Sequence, residues 1–129
     1  MRNPNRKTLT MTTNFPITRI YSGNDGDTYF EDIVIPMKDV GDIGSLSEAT
    51  PVKSIIFREV IPRYDYDFHN APQRQYLVLL DGVIEIETSL GDKRIFKAGD
   101  IVLLEDIAGK GHKTRNIKIA KRRSLFITL

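Results

Sequence analysis

His69 and His112 are the only imidazoles in this 129-residue chain, and it has no cysteine. Thiolate nucleophiles, zinc ribbons and disulfide frameworks are therefore excluded by count. Each histidine has an amide nearby: His69 lies in "HNAPQRQY", which ends in Gln75-Tyr76, and His112 lies in "GHKTRN", which ends in Asn116. Imidazole can ligate a first-row metal or move a proton near neutral pH, and an amide supplies a neutral acceptor and two donors. Three kinds of chemistry are open to such a set. His69, His112 and Gln75 could hold a divalent Zn, Fe, Ni or Mn ion. Alternatively His69, Gln75, His112 and Asn116 could line a pocket and hydrogen-bond an organic ligand with no metal present, or the four could simply satisfy one another in the core. The carboxylates that could complete a metal set are Glu105 and Asp106 in "LLEDIAGKGH", with Glu59 in "FREV" as a reserve ligand or general base.

The elements that must position these residues read as strands. Short β-branched and aromatic runs such as "TYFEDIVIP", "SIIFREVIP", "QYLVLL", "VIEIET", "IVLLE" and "SLFITL" are separated by turn residues. That pattern predicts an all-β sandwich or barrel. "SLSEAT" could add one helical turn. In "QYLVLLDGVIEIET", Asp81-Gly82 is expected to close a two-residue hairpin, with Leu79 facing Ile84, Leu77 facing Ile86 and Gln75 facing Thr88. These residues would form the inner face, and His69 would join them by parity. Glu85 and Glu87 would point outward, as would Arg74 and Arg115. Tyr76, Val78, Leu80 and Val83 would leave an apolar stripe on the outer face, to be covered by N-terminal strands or a second subunit. Tyr64, Tyr66 and Phe68 precede His69 and could rim a pocket mouth. The glycines of "AGKGH" suit positive-φ loop positions, with Asp106 hydrogen-bonding the loop's amides, because no GK[ST] follows as a phosphate loop would require.

With these residues in place the chain resembles a cupin. The Gly that closes the first cupin motif falls on Gly82, its glutamate on Gln75, its first histidine on His69 and its second on Ala71. In the second motif the glycine falls on Gly99, the histidine on His112 and the asparagine on Asn116, while "EDIAGKG" replaces the usual Pro-x-Gly with two extra residues. The resemblance is most specific over residues 50–129, where it is similar to small single-domain cupins with a His-x-x-Pro-x-x-Gln-Tyr run. It implies a cupin-type jelly-roll β-barrel with the histidines inside. It also implies either a small-molecule-binding protein, in one form a metal-dependent enzyme on a small organic metabolite, or a non-catalytic metabolite-binding or sensing module without metal. A cupin metal is usually held by three histidines and a glutamate, and two of those positions here carry Ala71 and Gln75.

Composition narrows the partners. The formal net charge of +2 is far below that of a dedicated nucleic-acid binder, so the basic runs "MRNPNRK" and "KIAKRRS" read as solvated segments. No apolar run is long enough to span a bilayer and no secretory signal is evident, so a cytoplasmic location and no membrane partner are expected. Residues 1–14 are expected to form a leader or arm ahead of a barrel domain at 15–129, with Met11 as an alternative start. The expected partners are a small-molecule ligand and a second copy of the chain in a homodimer.

Overall fold

A computed structural model of the chain describes residues 14–129; the proposed leader and the choice between Met1 and Met11 lie outside the described residues, apart from Asn14. Regular structure among the described residues is all strand. In chain order the strands are β1 (Asn14–Ser22), β2 (Thr28–Pro36), β3 (Lys38–Asp39), β4 (Ser45–Leu46), β5 (Ser54–Val60) and β6 (Asp65–His69). They continue as β7 (Gln75–Leu79), β8 (Val83–Thr88), β9 (Lys93–Lys97), β10 (Ile101–Glu105), β11 (His112–Asn116) and β12 (Arg122–Thr128). Residues 47–50, the last four of "SLSEAT", form no helical turn.

The strands form a six-stranded sheet in the order β2-β1-β10-β7-β12-β5 and a four-stranded sheet in the order β6-β11-β8-β9, with β3-β4 as a separate ribbon. The two large sheets do not close into one hydrogen-bonded barrel. Their inner faces meet in an apolar core: Ile20, Leu77, Leu79, Val102 and Leu104 come from the larger sheet, and Ile84, Ile86 and Phe96 from the smaller. Alternate residues of each strand face this core, as the period of two requires.

Asp81-Gly82 does not close a hairpin. β7 pairs with β10 and β12, whereas β8 pairs with β11 and β9, so the turn carries the chain from one sheet to the other. Residues Leu77 and Leu79 do share the interior with Ile84 and Ile86, but from opposite sheets rather than as ladder partners. Gly82 has φ of +78°, and a Cβ there would lie 2.9 Å from Arg122 Cδ, so glycine lets the crossing turn pass over that side chain.

The expected outer stripe is split by the same crossing. Tyr76 and Val78 face outward on the larger sheet, and Val83 belongs to the smaller. The β3–β4 segment lies over part of the larger sheet's outer face, where Met37, Leu46 and Thr50 share a groove with Ile17, Val78 and Ile127. Beyond that cover, Ile55 and Phe57 on edge strand β5 are exposed, Phe57 by 77%.

Candidate functional site

The register of β11 on β6 sets His112 directly opposite His69 on the inner side of the smaller sheet. Their ring centroids are 4.5 Å apart. Gln75 opens β7 on the facing sheet and is buried, as is Ala71 in the loop after β6. All four line one cavity of about 340 Å³ between the sheets. This is at the small end of the size range for organic ligands. Its apolar wall includes Ile56, Leu77, Leu104 and Phe126.

Each histidine is held at Nδ1. His69 Nδ1 lies 2.8 Å from the Asp67 carbonyl oxygen, and His112 Nδ1 lies 2.5 Å from Asp106 Oδ2. With Nδ1–H donating in both, each ring's Nε2 keeps its lone pair for a further partner. Burial holds the His69 imidazole below its ordinary value, with nearby His112 acting in the same direction against the Asp67 carbonyl bond. Tyr66 adds an edge contact to His69 at 4.3 Å between ring centroids and stacks with Tyr64. Both tyrosines line the cavity, whereas Phe68 is exposed and does not.

The "EDIAGKG" loop folds tightly against the histidine strand. Gly111 has φ of +75°, and a Cβ there would lie 2.2 Å from the His69 carbonyl oxygen, so only glycine fits. Asp106 is fully buried. Its carboxylate serves His112 rather than the loop amides, and its main-chain carbonyl accepts from Ala71 N and Asn70 Nδ2. Glu105 points the other way and bridges Arg19 and Arg74; although burial opposes ionisation, the two guanidiniums hold its carboxyl below the usual range.

The other sequence expectations fall as follows. Glu85 pairs with Arg115 and Glu87 approaches Lys93, all outside the cavity. Glu59 is no reserve base: it is exposed and pairs with Arg123. On β5 it is the other parity, Ile56 and Arg58, that enters the cavity. Asn116 stands one layer back. Its Nδ2 lies within hydrogen-bond range of the Ile61, Pro62 and Ala120 carbonyls, and its Oδ1 accepts from Arg122 Nε at 2.9 Å.

The two charged residues of the cavity were missed in sequence. Arg122, in "KRRS", is only 1% exposed and turns its side chain inward, and Arg58 joins it from the neighbouring strand. A basic run in sequence gives no sign that its middle arginine is the buried one. The parity of β12 is the one available signal, because Arg122 shares its phase with Ser124, Phe126 and Thr128.

Two facing motif histidines inside a pair of β-sheets, with the motif glutamine and alanine in the same cavity, decide the architecture. The chain has the all-β fold of a cupin. Among solved structures, the chain is similar to the Cnp3 cupin domain of Schizosaccharomyces pombe, at 11% identity over 93% of this chain and 86% of that one, with a TM-score of 0.49. It is also similar to a cupin-superfamily sugar phosphate isomerase from Silicibacter pomeroyi, at 17% identity over 92% and 71% of the two chains, with a TM-score of 0.47. No family model and no curated protein matches the chain.

Cupins often bind metals, so the donor set matters. Among the described residues no group of three or more His, Cys, Asp or Glu side chains could hold a metal ion. The cavity offers two imidazoles and the two amides of Gln73 and Gln75, lacks a carboxylate among its lining residues, and contains two guanidiniums. Asp106 is bound to the Nδ1 side of His112, away from the Nε2 that a shared ion would use. Such a set does not fit a tightly held dication, which calls for anionic ligands or more imidazoles.

Proposed function

We propose that the chain is a small-molecule-binding cupin that recognises an organic metabolite without a resident metal. The observation that carries this reading is the composition of one cavity: His69, His112 and Gln75 converge there beside Arg58 and Arg122, with no lining carboxylate. The paired Nδ1 bonds leave both imidazoles ready to hydrogen-bond a ligand through Nε2. A second reading, proton-transfer catalysis on that ligand, is favoured by Asp106, whose buried carboxylate fixes the His112 tautomer as a general base requires. We also infer a homodimer through the exposed β5 end of the larger sheet, where Ile55 and Phe57 lie on a strand edge that has no partner among the described residues.

Thermal-shift screening of small metabolites, run with and without EDTA, tests the main reading. Binders should raise the Tm equally under both conditions, and the His112→Gln variant should lose the shift. Shifts that vanish with EDTA would return the site to metal chemistry.

A further inference from the structure

Arg58 and Arg122 lie on adjacent antiparallel strands. Ser124 is the ladder partner of Arg58 and Val60 that of Arg122, so the two arginines are diagonal neighbours on the inner face. Both guanidiniums stack on one ring: Arg58 Cζ is 5.0 Å and Arg122 Cζ 5.4 Å from the centroid of Tyr64. Like charges so placed repel across a sheet, and burial strengthens the repulsion.

Five of the other described arginines are neutralised. Arg19, Arg74, Arg94, Arg115 and Arg123 each hold a carboxylate. Arg122 does not. Its guanidinium's one hydrogen bond among the described residues runs from Nε to Asn116, and the buried Nη1 and Nη2 have no partner there. Asn116, which accepts that bond at Oδ1, is itself anchored by Nδ2, which donates to main-chain carbonyls within range at Ile61, Pro62 and Ala120. Burial and the charge of Arg58 bring its guanidinium down to about 10, so it is still a cation at neutral pH. A buried cation without an ionic partner is costly, and a bound anion would offset that cost.

We propose that the ligand of this cavity is a small organic carboxylate, with its anionic group seated by Arg58 and Arg122 at the Tyr64 end and its remainder lying over His69 and His112. The inference rests on the metal-free pocket reading above and names its ligand class. A planar carboxylate matches the two-pronged edge of a guanidinium. The apolar wall of Ile56, Leu77, Leu104 and Phe126 suits a short hydrocarbon body, which inorganic phosphate lacks.

Calorimetric titration of the full chain with butanoate, hexanoate and benzoate, with their primary amides, and with inorganic phosphate tests it. At least one carboxylate should bind about tenfold or more tightly than its amide, and more tightly than phosphate. Arg122→Met should remove that preference. Because a change at a buried site could also disturb folding, Arg58→Met, at a partly exposed position, provides a second loss of preference, and Arg58→Lys should restore part of it. Equal affinity for acids and amides would overturn the carboxylate assignment and leave the pocket reading standing. Tighter binding of phosphate would also overturn it. Binding of neither acids nor amides would overturn both.

Discussion

Asp106 and His112 form a buried pair, Oδ2 to Nδ1 at 2.5 Å, on the side of the imidazole that faces away from the cavity. Sequence places them six residues apart across a glycine loop, and the tight fit of Gly111 against the His69 carbonyl brings that loop back onto its own strand. The pair fixes which nitrogen of His112 keeps its lone pair.

Replacing the carboxylate should therefore change both stability and tautomer. Asp106→Asn weakens a charge-assisted bond in a buried site and should cost about 1–3 kcal/mol in urea denaturation. Nitrogen-15 NMR of the imidazoles should find the Nδ1–H form of His112 in the natural protein and a mixture in the variant. An unchanged tautomer would remove Asp106 from the account.

Arg122→Met should behave in the opposite sense. Exchanging a buried guanidinium with two unpartnered nitrogens for an apolar side chain should be neutral or stabilising by up to ~3 kcal/mol in the absence of ligand. Denaturation midpoints of the two proteins measure this. A large loss of stability would mark Arg122 as a structural residue rather than one kept for a ligand.

Acidification should weaken the fold through His69. Its folded value lies below that of the unfolded chain, so between the two the unfolded state binds the extra proton and stability falls as pH drops. Unfolding free energies measured from pH 7.5 down to about 5 should decline from near the unfolded imidazole value of roughly 6.5. His69→Gln should flatten that part of the profile. An unchanged slope in the variant would assign the acid sensitivity to other groups.

Much of this architecture is legible in sequence, for a definite reason. Alternation assigns Leu77, Leu79, Ile84 and Ile86 to the interior and Glu85 and Glu87 to the outside, because a period of two survives whichever sheet a strand joins. The same property hides the crossing at Gly82: inward residues look alike whether they are ladder partners or face one another across a core. His69, Gln75 and His112 are legible as a set because the cupin spacing places them together. Arg122 is not, since a basic triplet reads as a solvated run, and Glu59 is misplaced because the exposed β5 carries Ile55 and Phe57 on its outer side.

Those outward residues give a prediction about assembly. Light scattering at micromolar concentration should return twice the chain mass, and Phe57→Glu should shift the population toward monomer by placing a charge on an apolar contact. A monomer for the natural protein would refute the homodimer.

The metal question is decided by ligands that can be put back. Ala71 and Gln75 both line the cavity where a cupin has histidine and glutamate, so Ala71→His with Gln75→Glu should add an imidazole and a carboxylate to His69 and His112. The double variant should bind Zn or Ni at least about a hundredfold more tightly than the natural protein, a difference of roughly 2.8 kcal/mol.

The central claim is tested most directly by elemental analysis of the natural protein, purified without an affinity tag and never exposed to chelator. A metal-free small-molecule site predicts first-row metal well below one ion per chain, together with a ligand-induced rise in Tm that EDTA leaves unchanged. One tightly held ion per chain, lost together with ligand binding on chelation, would contradict it.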